Sequence, residues 1–182
     1  FGSSKDIINY MWKRARGFFD VVAYTGNGST QNINHGLSVS PEMIWLKSRT
    51  DTSDWMVSHK DLDGSSPYNY NLKLNDVGNR QNNTDRITAV SSTTFSLGNH
   101  NSVNKNNSNF IAYLFATLAG VSKVGSYTGG SSAIDVDCGF TSGARFVLIK
   151  NISSDGSWLL FDTARGLVAG NDKVLALENN SA

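Results

Sequence analysis

Tyr24-Thr25-Gly26-Asn27-Gly28, set against Tyr127-Thr128-Gly129-Gly130, establishes a shift of 103 residues that organises the rest of the chain. At that shift, with no gap, Gly36 falls on Gly139, Lys47 on Lys150 and Trp55 on Trp158. The apolar run Met43-Ile44-Trp45-Leu46 falls on Phe146-Val147-Leu148-Ile149, and Leu72 and Leu74 fall on Leu175 and Leu177. Upstream, Ile8, Tyr10 and Gly17 fall on Ile111, Tyr113 and Gly120. Solenoid rungs repeat every 20–50 residues or so, so a period this long marks a whole small domain. The expected division is residues 1–17 as the closing strand and linker of a preceding unit, 18–120 as one complete unit, and 121–182 as a truncated second unit. On this arithmetic the native chain is expected to extend before Phe1 and to run at least about forty residues past Ala182, enough to complete a compact domain.

Composition sets the class. The chain is 39% hydrophobic and 17% charged, which describes an ordinary globular protein. No apolar run approaches the roughly 18 residues of a membrane helix, so membrane insertion is not expected. A net charge of +1 supplies no field for nucleic acid. One cysteine, Cys138, rules out an intrachain disulfide framework, and its counterpart at the shift is His35. Asn, Ser, Thr and Gly dominate the polar residues. They compete for backbone hydrogen bonds and favour turns over helices.

Short β-rich runs then alternate with turn clusters. Strands are predicted over residues 18–25, 31–35, 42–49, 54–60, 70–75, 86–90, 93–97 and 109–116, with helix almost absent. The fold expected is all-β, with jelly-roll-like or immunoglobulin-like sandwich units repeating every 103 residues. In the closing strand, Ile8, Tyr10 and Trp12 match Ile111, Tyr113 and Phe115. Because this alternate set stays apolar in both copies, it is expected to face a core.

The shared residues read as structural anchors: Tyr24, Gly26, Gly36, Lys47 and Trp55, with Tyr127, Gly129, Gly139, Lys150 and Trp158. The glycines end strands where turns form, and the tryptophans fill a core. If the hairpin loop has five residues, each Lys lies opposite its Trp, where its stem can pack on the ring and its ammonium reach solvent. The histidines His35, His59 and His100 lack metal-ligand spacing, and no cluster of ionisable groups recurs in both copies, so neither cofactor, metal nor catalysis is expected. Asp51, Asp54 and Asp155 sit in loops as turn residues rather than in a calcium ladder. Lys13-Arg14-Ala15-Arg16 maps on uncharged residues and reads as a solvated junction. The polar stretch Gly98-Asn99-His100-Asn101-Ser102-Val103-Asn104-Lys105-Asn106-Asn107-Ser108-Asn109 is expected to be an exposed loop, with His100, Asn101, Asn104, Lys105 and Asn107 as its partner contacts.

Across YTGNG (24–28), PEMIWLKSR (41–49), the Trp that follows, and FIAYLFATLAGVSKVGSYTG (110–129), the chain resembles a domain found in tandem in tailed-bacteriophage structural proteins, notably of marine and cyanobacterial phages. The resemblance covers nearly the whole chain. It implies a virion component of the tail or surface, such as a tail-fibre segment serving as spacer and host-contact module, and no enzyme. The partners implied are further copies of the chain, as a homotrimer, other virion proteins, and a host-surface glycan or receptor. The alternatives are a carbohydrate-binding or polysaccharide-degrading tailspike protein and a capsid decoration protein. The enzyme would need paired carboxylates in a groove.

Overall fold

The structure, a computed structural model, describes residues 7–167 and 172–178. Parts of the expected N-terminal piece (1–6) and second unit (168–171, 179–182) lie outside them.

All eight predicted strands form, and the chain is nearly all-β. In order they are β1 Phe19–Thr25, β2 Gln31–Asn34, β3 Met43–Ser48, β4 Met56–His59, β5 Tyr70–Lys73, a short β6 Gln81–Asn82, β7 Ile87–Val90, β8 Thr94–Leu97 and β9 Asn109–Phe115. Three more follow: β10 Phe146–Ile149, β11 Leu159–Asp162 and β12 Leu175–Ala176. Helix is confined to a 3-10 turn at Pro67–Asn69 and to α1, Asn101–Asn104. The strands make an antiparallel six-stranded sheet in the order β1-β9-β3-β4-β5-β6 and two three-stranded sheets, β2-β8-β7 and β10-β11-β12.

The first core lies between the six-stranded sheet and β2-β8-β7. Ile44, Leu46, Met56, Ala112, Leu114 and Ala116 meet Ile33, Ile87, Phe95 and Leu97 there, joined by Leu37 and Val103. This corrects the expected facing of the closing strand. Phe110, Ala112 and Leu114 are fully buried in the sandwich, whereas Ile111 and Tyr113 are only partly buried on the other, outward face. That outward face carries two further clusters: Val57, Leu62 and Leu72 with Trp158, and Phe19, Phe115 and Val124. It is apolar because it is covered by more of the same chain.

The pairing within the covering sheet matches that of β3, β4 and β5 beneath it. In the first sheet Met43 pairs with His59 and Leu46 with Met56; in the third, Phe146 pairs with Asp162 and Ile149 with Leu159. Met56 pairs with Lys73 and Val57 with Leu72, as Leu159 does with Ala176 and Leu160 with Leu175. Every partner is displaced by 103 residues. The same holds outside the ladders: Leu74 N donates to Trp55 O at 2.9 Å, and Leu177 N to Trp158 O at 3.2 Å. The isolated bridges Ala15 to Phe19 and Leu118 to Ser122 match too, with Gly17 and Gly120 both at φ 73°.

The counterparts of β1 and β2, residues 122–128 and 134–137, form no strands. The reason is pairing. β1 bonds only to β9 and β2 only to β8, and the described residues contain no counterpart of either partner for 122–137 to meet. Residues 7–14, matched in sequence to the closing strand, also form no strand. Tyr10 and Trp12 instead rest edge-on against Phe146, with centroids at 5.3 and 5.6 Å.

Candidate functional site

The repeated anchors divide into a loop clamp and an outward apolar face. In the clamp, β1 delivers Tyr24, whose ring stacks on Phe110 at 5.3 Å and whose hydroxyl donates to Val103 O at 2.7 Å. Burial alone raises the Tyr24 pKa, so its phenol stays a donor. Gly26 follows, pressed against the opposite strand of chain. A Cβ there would lie 2.2 Å from Lys105 O and 2.8 Å from the Asn104 carbonyl carbon. The glycine serves close approach, since its φ is not in the left-handed region.

The stretch 98–109 is accordingly a packed turn, not the wholly exposed loop expected. Val103 and Asn104 are fully buried. Asn104 Nδ2 donates to Ser29 O and, at 2.7 Å, to Gly98 O, while its Oδ1 accepts from Asn27 N at 3.0 Å and Gln31 Nε2 at 2.6 Å. His100 caps α1, its Nδ1 accepting from Ser102 N at 3.0 Å. Asn107 holds φ 58°, a conformation Asn tolerates better than most residues. Lys105 pairs with Asp51 at 2.6 Å, and Ser108 Oγ donates to the other Asp51 oxygen at 2.6 Å. Those two bonds, Lys105 first, hold the Asp51 carboxyl below its ordinary value. Asn101 remains exposed at the start of α1. Of the five predicted contact residues, Asn104 therefore faces inward and His100 is engaged in capping.

The remaining anchors differ between copies. Gly36 N donates to buried Asp20 at 2.7 Å, whereas Gly139, at φ 69°, takes part in a local turn on Asp137. Burial opposes the Asp20 charge, but bonds from Gly36, Arg14 and Val21 outweigh it and keep its pKa low. Arg14 is thus an ion-pair partner at 2.5 Å within the basic junction. Lys47 Nζ donates to Asp51 O at 3.5 Å, and Lys150 Nζ to Val77 O and Asn151 O at 3.0 Å. Tyr127 is half exposed, and Gly129 has nothing near it. Asp54 binds Lys73 and Asn75, and Asp155 accepts from Asn79 N. Among the described residues no group of three His, Cys, Asp or Glu side chains is placed to hold a metal.

The outward face ends in a cleft of about 660 Å³ between the six-stranded sheet and β10, lined by Trp12, Trp45, His59, Phe115, Cys138 and Phe146 among others. Burial lowers the His59 pKa, so its imidazole is neutral near pH 7. The Trp45 indole nitrogen is buried and has no partner among the described residues. Aromatic rings form part of its wall, and Asp137 is the one carboxylate among its described lining residues. Composition alone gave no sign of it. The signal in the sequence is the apolar pattern on the outward positions of β9, of which Phe115 lines the cleft, and such a pattern reads equally as a sandwich core.

A family model described as Domain of unknown function (DUF7483) matches residues 3–182. The chain belongs to that family. No protein of curated function matches it, and no solved structure does. The DUF7483 match runs through both the first sandwich and the sheet that covers it.

Proposed function

We propose that this DUF7483 chain is a stretch of tandem β-sandwich units, one every 103 residues, in a fibre or surface protein of a bacteriophage particle, where it acts as spacer and host-contact module. The observation that carries the tandem reading is the pairing of β10-β11-β12, which matches that of β3-β4-β5 partner for partner at the repeat distance. The matched linker bridges extend it to the joints. The phage assignment rests on the resemblance of the YTGNG, PEMIWLKSR and closing-strand segments. The role is mechanical. Buried side chains go to packing and loop clamping, and the loop carboxylates Asp51 and Asp54 are paired with Lys105 and Lys73. Copies of the chain, bundled as a trimer, would protect sheet edges and stiffen the array.

The test is on particles. Antibodies against the chain should decorate the tail or surface of phage produced by cells carrying its gene, and its peptides should appear in the digest of purified virions. Peptides confined to the lysate and absent from particles would refute the proposal.

A further inference from the structure

The third sheet stops at β10, and one edge of β10 is unused. Thr163 N donates to Arg145 O at 3.1 Å, as Lys60 N does to Glu42 O at 2.8 Å. Backbone groups of an antiparallel strand alternate between its two edges, so Val147 and Ile149 bond to β11, and Phe146 and Leu148 turn theirs the other way. Among the described residues no backbone group meets them there. In the first sheet the matching edge of β3 is taken by β9, and the far side of β9 by β1. The residues that match β1, 122–128, form no strand. Residues 122–127 and 144–148 both line the cleft of about 660 Å³. The cleft is thus bordered by a β3-like edge and a β1-like segment, with no β9-like strand between them among the described residues.

One segment of the chain has the sequence for that place. Residues 7–13 match β9 at the 103-residue shift, with Ile8, Tyr10 and Trp12 standing where Ile111, Tyr113 and Phe115 do. Carried over, the β9 register sets Trp12 opposite Phe146 and Ser122, and Tyr10 opposite Leu148 and Val124. In the single chain these residues reach the site by side chains alone. The Tyr10 and Trp12 rings rest on Phe146, Tyr10 OH donates to Asp162 at 2.5 Å, and Trp12 is the one residue of 7–14 on the cleft wall. Their root is held at β1 by the Ala15 to Phe19 bridge and the Arg14 to Asp20 ion pair at 2.5 Å, and no backbone bond to β10 forms. One molecule displays a strand and a slot that it does not join. We infer that the slot takes residues 7–13 of a second copy of this chain, as a strand between β10 and 122–128. Main-chain bonds to the exposed edge supply the affinity, and the alternate side chains fix the register. Because strand and slot are different surfaces, the contact is head-to-tail and open-ended. The inference rests on the tandem reading and adds the closing strand as the part that copies exchange.

Met11 is 91% exposed in the single chain but would sit in a strand bonded on both sides, where proline is not accepted. Sedimentation of the full chain should show dimers and longer species growing with concentration up to about 100 µM, ample for a Kd of about 10 µM. Met11→Pro should weaken that association at least about tenfold. It keeps the slot, so adding it to the unaltered chain should cap the ends and shorten the species. Amide exchange of residues 122–127 should slow at least about tenfold on association. A chain monomeric at every concentration, Met11→Pro associating like the unaltered chain, or 122–127 exchanging at one rate in both states overturns the inference. If Met11→Pro loses its β circular dichroism, Asn9→Pro, at another exposed position of the segment, is read in the same way. Slow exchange in β10 to β12 of a monomeric chain would leave the tandem reading standing, and particle labelling decides the virion role separately.

Discussion

Gly26 and Gly129 offer a matched pair: one motif position in two settings. In Gly26→Ala the new Cβ meets Lys105 O at 2.2 Å, and ordinary contact begins at 3.4 Å, so this carbonyl must retreat by about 1.2 Å. The atoms it meets, Lys105 O and the Asn104 carbonyl carbon, are both backbone, so no rotamer change relieves the clash. The retreat pulls on Gly26 N to Ser108 O, Asn107 N to Gly26 O and Gly28 N to Asn104 O, now 2.8, 2.9 and 2.9 Å. Losing two of them at about 1 kcal/mol each, with about 2 kcal/mol of overpacking strain, gives a destabilisation of about 4 kcal/mol. For a chain of this size that lowers the Tm by roughly 8–16 °C. Gly129→Ala adds a methyl group with nothing within 4 Å and should stay within about 0.5 kcal/mol. Calorimetry of the two variants side by side decides it. A difference under about 1 kcal/mol would refute the claim that close approach, rather than the turn itself, demands glycine in this motif.

Asn104→Ala should cost about 3 kcal/mol in urea unfolding, because it strands two carbonyls and two donors in a fully buried site; a loss below 1 kcal/mol or so would mean that water replaces the amide. Trp158→Ala should remove about 3–5 kcal/mol of packing and speed amide exchange in β10 to β12 while leaving β2, β7 and β8 protected; equal acceleration in both regions would contradict a separate covering sheet. Asp162 is held at about 2 by hydrogen bonds from Tyr10 and Arg165 against opposing burial, so its contribution is complete above its ordinary value of 3.8 and is lost as pH falls from there through about 2. Asp162→Asn should flatten the fall in Tm across that window, and an unchanged pH profile would show that the carboxylate does not anchor Tyr10.

Strand positions were legible because alternation and turn residues are local signals, and every predicted strand recurs within a residue or two. Facing was not. Tyr113 and Phe115 pack in a cluster with Val124, beyond their own sandwich, and a pattern kept apolar for that reason reads the same as one kept for the core. The loop misled through composition. Ten polar residues among its twelve suggest solvent, yet Asn104 satisfies its amide internally, and the clue lay far off in Tyr24 and Gly26. The cleft was invisible because its walls, such as Trp45 and Phe146, are distant in sequence and meet only when one sheet settles on another.

The joint at Gly17, repeated with the same bridge and the same φ at Gly120, has a geometric consequence. A fixed rotation and translation applied again and again describes a screw. On the tandem reading proposed above, units joined alike would wind about a long axis at constant pitch, so that adding or deleting one unit would turn the tip to a new azimuth as well as moving it along. Length and the direction in which the end presents itself would then be set together.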